Sequence, residues 1–358
     1  VTLSKARKLP LLFQEFPELK DHIPWMPLTR MTPVQKLRKL GKKLGLNELW
    51  VKRDDKTSDI YGGNKPRKLE FVLAEALQQK KTKVITYGGT GSNHCLATLL
   101  FAKKYGLETI LVLWDQPITA HVQRQLLLFQ SLGARLIHMN DFDYNKLPDQ
   151  DKIYNIGPGG TSPLGILGYV EAALELKKQV DEGLIPEPEL IFVAAGSLGT
   201  QAGLELGIRL CGLHSKVMGV RVTAKEFANA DLVATYARES YALIKEHLGG
   251  VPEPSFKGVT VLDDYAGAEY GAVTQEGLAA IELMKKYEGI QLETTYTGKA
   301  LAGLIDYTKK HDLKDTPILF WNTYNSVDVS KYMKRGITYK DLPEAFHKNF
   351  KEDLLHKK

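Results

Sequence analysis

Apolar and polar positions along this chain follow two periods that take turns. Short apolar, β-branched-rich runs at residues 48–53, 83–87, 109–113, 135–138, 190–195, 217–222 and 317–321 predict strands. Between most of them, apolar positions recur every three or four residues, predicting helices over 68–79, 95–105, 121–132, 200–210, 236–247, 275–287 and 299–311. The run 190–195 (Leu-Ile-Phe-Val-Ala-Ala) is apolar on both faces, as in a strand enclosed within a parallel sheet. Strands alternating with helices indicate crossover units. The expected fold class is α/β: two three-layer α/β/α domains with largely parallel sheets, the smaller nested in the larger. The smaller would span 61–170 and the larger 1–60 with 171–358. Prolines at Pro148, Pro158, Pro163 and Pro186 to Pro188 read as linkers where the chain returns.

Composition narrows the function classes. A length of 358 residues allows two domains with a sizeable core, and 43% hydrophobic with 25% charged residues is ordinary for a globular protein. The formal net charge of +6 is spread among interleaved acids, which argues against a nucleic-acid stripe. The lysine-rich end, 348–358, reads as a frayed terminal helix. Cys95 and Cys211 offer neither a disulfide framework nor metal-ligand spacing, so no metal is expected. No apolar run reaches transmembrane length. A cytoplasmic enzyme is the expectation, with an upstream presequence left open by the start at Val1.

Candidate chemistry lies in the loops that open helices, where open parallel sheets bind ligands. Gly62-Gly63-Asn64-Lys65-Pro66-Arg67-Lys68 places a lysine behind two glycines and an asparagine. A lysine held still and kept partly deprotonated can form a Schiff base with a carbonyl cofactor. Gly91-Ser92-Asn93-His94 opens the helix after the 83–87 strand. Gly196-Ser197-Leu198-Gly199-Thr200 follows the buried strand and has what a phosphate needs: close backbone, small hydroxyls and free N–H groups at a positive helix end. Thr295-Tyr296-Thr297-Gly298-Lys299 opens a third helix. Each has a plain alternative. The 196–200 loop is also an ordinary strand–helix turn, Lys65 and Lys68 could be surface lysines, and His94 a packing histidine. Tyr270 and Tyr296 are two of 16 tyrosines, and Thr297 or Thr323 could be strand-end filler.

Together, however, Gly-Gly-Asn-Lys-x-Arg-Lys-Leu-Glu, Gly-Ser-Asn-His, Ala-Gly-Ser-x-Gly-Thr-x-Ala-Gly and Tyr-Thr-Gly-Lys-Ala resemble the D-cysteine desulfhydrase and 1-aminocyclopropane-1-carboxylate deaminase family from about Pro27 to about Thr323. These are pyridoxal-phosphate enzymes of fold type II, like the tryptophan-synthase β chain. The resemblance implies Lys65 as the Schiff-base lysine and Asn93 as a partner of the cofactor's ring hydroxyl. It implies Lys68 with Gly196, Ser197, Leu198, Gly199 and Thr200 around the phosphate, and Thr297 and Thr323 near the ring nitrogen. Ser92, with Asn93 and His94, would receive the substrate, and Tyr270 and Tyr296 would face its reacting carbons. A small amino acid substrate and a homodimer are implied, with no nucleic acid and no membrane.

Two reactions compete within that family. Its deaminases carry a glutamate directly after the tyrosine equivalent to Tyr296, where this chain has Thr297. A hydroxyl cannot hold a full charge beside the ring nitrogen, which suits removal of an α-proton followed by loss of a β leaving group. D-Cysteine desulfhydration is therefore the expected activity, with the deaminase as the alternative; a β-replacement synthase and a cofactor-free binding module are further readings. After the last strand the family usually reads His-Thr-Gly-Gly, whereas this chain has Asn322-Thr323-Tyr324-Asn325. That substitution adds bulk near the cofactor and leaves another β-substituted amino acid open as substrate. The preference for D over L stereochemistry comes from the resemblance alone.

Overall fold

A computed structural model describes residues 9–355. Its strands are β1 (Val34–Lys36), β2 (Leu49–Lys52), β3 (Lys83–Gly89), β4 (Glu108–Trp114), β5 (Arg135–His138), β6 (Ile153–Ile156), β7 (Leu190–Ala195), β8 (Lys216–Arg221), β9 (Thr260–Leu262) and β10 (Ile318–Trp321). Its helices are α1 (Leu11–Glu15), α2 (Arg38–Leu44), α3 (Lys65–Gln78), α4 (Asn93–Lys104), α5 (Ala120–Leu132), α6 (Pro163–Asp181), α7 (Gly199–Leu210), α8 (Ala230–Ile244), α9 (Gln275–Glu288) and α10 (Thr297–Lys310).

The strands form two sheets, one in the order β1-β2-β10-β7-β8-β9 and one in the order β5-β4-β3-β6. All pairings are parallel except the antiparallel β1–β2 edge. The smaller sheet comes wholly from residues 83–156, between β2 and β7 of the larger one. β10 enters last, pairing with β2 on one side and β7 on the other, so that it joins the two flanks of the insertion.

Period-2 alternation places helices on both faces of the larger sheet. Ile318 and Phe320 point into a core with α2, α9 and α10, whereas Leu319 and Trp321 point into one with α6 and α7. In the smaller unit α3, α4 and α5 gather on one face. Its other face is covered by the short turns at 139–147, through Met139, Phe142, Tyr144 and Leu147. That stretch is rich in Asn and Asp, whose side chains hydrogen-bond locally and favour turns over helix. His138 and Asp143 do this here, accepting from the amides of Asn140 and Asn145.

Three readings need correction. Pro163 is not linker but the first residue of α6, at 19 residues the longest described helix. Ser162 caps it by accepting from the Gly165 amide, and a proline at that position lacks only an N–H that would be unpaired anyway. The expected division at residue 170 consequently falls within α6. The helix expected over 236–247 starts earlier, at Ala230 behind the cap of Asn229, and ends in a tighter turn at Lys245–His247. The basic end is no frayed α-helix. Glu344–Phe350 is a 3-10 turn whose Phe346 is fully buried, and the Gln123 side chain bonds Asn349 O, Glu352 O and the Leu354 amide. Residues 356–358 lie outside the described part.

Where the two units meet, four charges are completely buried: Lys52 at the end of β2, Asp54 just beyond it, Arg67 on α3 and Glu175 on α6. Arg67 donates through Nη2 (2.7 Å) and Nε (2.9 Å) to Asp54 and through Nη1 (3.1 Å) to Glu175. Lys52 Nζ donates to Glu175 at 2.5 Å and to Gln179 at 2.7 Å. Tyr169 (2.8 Å) and Trp321 (2.7 Å) donate to the same Asp54 oxygen. The charges balance, so each is compensated. Removing one partner leaves a buried charge alone. Glu175→Ala should lower stability by about 3–5 kcal/mol in denaturant unfolding; a loss below about 1 kcal/mol would show that the cluster does not hold these elements together.

Candidate active site

The site begins at the turn entering α3. Gly62 passes so close to the carbonyl of Asp55 that no Cβ would fit, and Gly63 has φ +88° with the Thr323 carbonyl 2.5 Å from where a Cβ would lie. Only glycine combines that conformation with that approach. The Gly63 amide donates to Asp54 O (2.7 Å), the Gly62 amide to Asn325 Oδ1 (2.7 Å) and the Asn64 amide to Thr323 O (3.2 Å). Asn64 Nδ2 reaches across to Thr200 Oγ1 at 2.9 Å. Lys65 and Lys68 then follow one turn apart on α3, starting three residues earlier than the apolar pattern indicated.

Burial shapes both lysines. It depresses Lys65 to about 8, the Cys95 thiol and Glu293 carboxylate opposing the shift only in part. Lys65 Nζ makes no hydrogen bond to a described residue. Lys68 is pushed well below its ordinary value by burial and then by Lys65. Its Nζ donates to Gly159 O and Thr161 Oγ1, both at 3.2 Å, and among the described residues it has no carboxylate partner.

The 196–200 loop faces these lysines. A Cβ on Gly199 would stand 2.7 Å from both Lys68 Nζ and Thr161 Oγ1. Leu198, just before α7, holds φ +63°, a left-handed conformation costing a non-glycine residue about 1–2 kcal/mol. Gly196 leaves room for the Tyr296 ring, whose Cε1 lies 3.2 Å from the position of a Cβ there. The second wall is the segment Gly157–Thr161 after β6. A Cβ on Gly159 would collide with Ser197 Oγ, and Thr161 Oγ1 lies 2.9 Å from that same oxygen.

Lys65, Asn93, Gly196, Ser197, Leu198, Thr200, Tyr296, Thr297 and Thr323 line one pocket, with Tyr61, Asn64, Ala194, Glu293, Tyr324 and Asn325. Lys68 and Gly199 stand directly behind the wall formed by the 196–200 loop. Tyr270 joins through a hydrogen bond between its hydroxyl and that of Tyr296, the rings edge to face at 6.2 Å. Burial raises both phenols, Tyr270 to about 12. Ser92 caps α4, its Oγ accepting from the Cys95 amide at 3.2 Å, and its hydroxyl also bonds the Cys95 thiol. His94 is not brought to the pocket. Its Nε2 bonds Thr86 Oγ1 at 2.8 Å, and burial, then the two lysines, keeps it neutral. Thr86 donates its own proton to Ile156 O, so His94 carries its proton on Nε2.

Glu293 is the acid that the sequence reading passed over. Its carboxylate accepts from the amides of Thr295 (2.8 Å), Tyr296 (2.8 Å) and Thr297 (2.7 Å), and from Thr297 Oγ1 (3.2 Å). An acid just ahead of a helix start is a readable capping signal. Gly157–Thr161 was hidden by its proline and Tyr61 by lack of any pattern, while Asn64 stood in the lysine motif without an assigned role. Asn325 turns its oxygen to the Gly62 and Val327 amides, so it braces the lysine turn, while burial raises the pocket-lining Tyr324 to about 12.

Residues 26–323 match the family described as pyridoxal-phosphate dependent enzyme. The chain is 36% identical over 312 residues to a D-cysteine desulfhydrase of Klebsiella pneumoniae, covering 82% of this chain and 90% of that one. It is also 36% identical over 287 residues to a Thermotoga maritima protein named as a candidate 1-aminocyclopropane-1-carboxylate deaminase, covering 77% and 88%. A crystal structure of an ACC deaminase homologue superposes with a TM-score of 0.74 at 34% identity, over 86% of this chain and 94% of that one. A tomato threonine deaminase, at 18% identity and TM-score 0.60 over 92% and 90%, shares the fold alone. The helix-opening lysine pair, the glycine loop facing it and these likenesses agree: the chain belongs to the pyridoxal-phosphate dependent enzymes, with the fold type II architecture.

Proposed function

We propose that this enzyme is a β-elimination lyase acting on D-cysteine or a close analogue, releasing pyruvate, ammonia and sulfide. One observation carries the reading: two lysines one turn apart, Lys68 buried and Lys65 partly open to the pocket, face a glycine loop at a helix N-terminus without a full carboxylate counter-charge. Buried cations need an anion, and a phosphate carried by a carbonyl compound supplies it. The surroundings fit, since Gly199 leaves exposed to the loop both Lys68 Nζ and Thr161 Oγ1. Lys65 would bond the carbonyl carbon, and Lys68 with Gly196–Thr200 would hold the phosphate. Asn93 would face the ring hydroxyl, and Thr297 and Thr323 the ring nitrogen.

Bound there, pyridoxal phosphate supplies a sink for charge developing at the substrate's α-carbon. The chain supplies the rest. Ser92, held at the start of α4 by its cap to Cys95, would turn its hydroxyl to the substrate carboxylate. Once the substrate's amine takes its place on the carbonyl carbon, the freed Lys65 amine, lowered by burial to about 8, would take the α-proton on Nζ. Tyr270 and Tyr296, kept neutral by burial, present hydroxyls to the departing sulfur. Thr297 places a neutral hydroxyl at the ring-nitrogen position, and Glu293 behind it is committed to three amides. This supports elimination over ring opening. The second reading, opening of 1-aminocyclopropane-1-carboxylate to 2-oxobutyrate and ammonia, is favoured by that same carboxylate, one hydroxyl from the pocket. We extend the reading to a small domain drawn from residues 61–170, its C-terminal edge moved back to the start of α6, and to a homodimer and a cytoplasmic location. No described helix is long and apolar enough to cross a membrane.

Borohydride reduction and peptide mapping should place the pyridoxyl group on Lys65; finding it on Lys68 or Lys299 overturns the assignment. In protein freed of cofactor, labelling of Lys65 by an amine reagent should rise with a midpoint near pH 8, because the amine is protonated below it; a midpoint above 10 contradicts its burial. A keto-acid assay should show pyruvate from D-cysteine faster than 2-oxobutyrate from the cyclopropane substrate, and Thr297→Glu should slow elimination at least tenfold. The reverse order in the wild type establishes the deaminase.

A further inference from the structure

Asn93 is the first residue of α4 and lines the pocket, but the atom it presents there is decided elsewhere. Gln125, on α5, is 3% exposed and donates through Nε2 to Asn93 Oδ1 at 3.1 Å. Its own Oε1 is buried without a partner among the described residues. Turning both amides over would keep a bond between them and leave the Gln125 N–H group as the buried orphan instead. An unmet buried N–H is rarer and more costly than an under-satisfied carbonyl. The observed arrangement is thus the better of the two, and it commits Asn93 Oδ1 to Gln125 and leaves Asn93 Nδ2 free.

We infer that Gln125 is a positioning residue that fixes the Asn93 amide with its donor toward the pocket, so that the site accepts an oxygen acceptor, such as a phenolate, at that point. Gln125 sits two residues after Gln123, whose side chain holds the C-terminal segment by three hydrogen bonds, so α5 is anchored from behind. An asparagine without this partner would present its oxygen or its nitrogen with similar ease. With it, one choice is made before any ligand arrives.

The inference rests on the proposed cofactor site and is tested on binding rather than turnover. The probes are 4′-deoxypyridoxine 5′-phosphate, which has the ring hydroxyl but no carbonyl to bond Lys65, and inorganic phosphate, which has no ring. Gln125→Met keeps a similar buried volume and removes the donor. It should weaken the ring probe about twofold, because roughly half of the released Asn93 amides would then face the pocket with oxygen, and leave phosphate affinity unchanged. Gln125→Glu, which only accepts when ionised, should turn Asn93 over and weaken the ring probe further. In an Asn93→Ala background Gln125→Met should have no additional effect. Equal losses for both probes, or a full Gln125→Met loss persisting without Asn93, would overturn the inference. Failure of the wild-type protein to bind the ring probe would instead take down the cofactor reading beneath it.

Discussion

The balanced buried cluster of Lys52, Asp54, Arg67 and Glu175 is the constraint on which the rest depends. Each charge comes from a different element: the end of β2, the turn after it, α3 and α6. Hydrogen bonds from Tyr169 and Trp321 close the remaining valences of Asp54. Such a cluster tolerates little displacement, because moving one charge strips compensation from the others in a medium that screens poorly. Arg67 lies two residues after Lys65, and Asp54 also receives the Gly63 amide on its carbonyl. The cluster therefore sets where α3 begins and how the lysine turn is held.

Against that background the lysines of the same helix stand out. Lys52 and Arg67 are buried and fully paired, whereas Lys68, equally buried, and Lys65, partly open to the pocket, are not. The protein thus keeps two cations in a low-dielectric setting with a glycine loop and the amino end of α7 before them. Leu198 in that loop is held left-handed as well. A binding site is expected to look like this, with unmet charge held in place by a neighbouring region whose charges are met.

The acidic side of the pocket is built differently. Glu293 folds back onto the amides that open α10 and thereby fixes Tyr296 and Thr297 together. Its charge is felt by Lys65, Tyr61, Tyr270, Tyr296 and Tyr324 alike. Thr297 meets the pocket as a neutral hydroxyl with a carboxylate behind it, so the hydroxyl and the acid have to be considered as one unit.

The sequence by itself determined the alternation of strands and helices, because period-2 and period-3.6 patterns are local properties of consecutive residues. It also determined the glycine turns around Lys65 and Gly199, since close backbone approach admits no other residue. It misjudged Pro163, because a helix-opening proline and a linker proline look alike until the cap of Ser162 is seen. It could not show that His94 faces Thr86, that Glu293 reaches back to α10, or that Gln125 meets Asn93. Those pairings join residues from 4 to 32 positions apart whose side-chain directions depend on how elements pack. Tertiary structure alone decided which buried charges were compensated and which were left open, because compensation is a matter of distance in space, which a one-dimensional pattern does not contain.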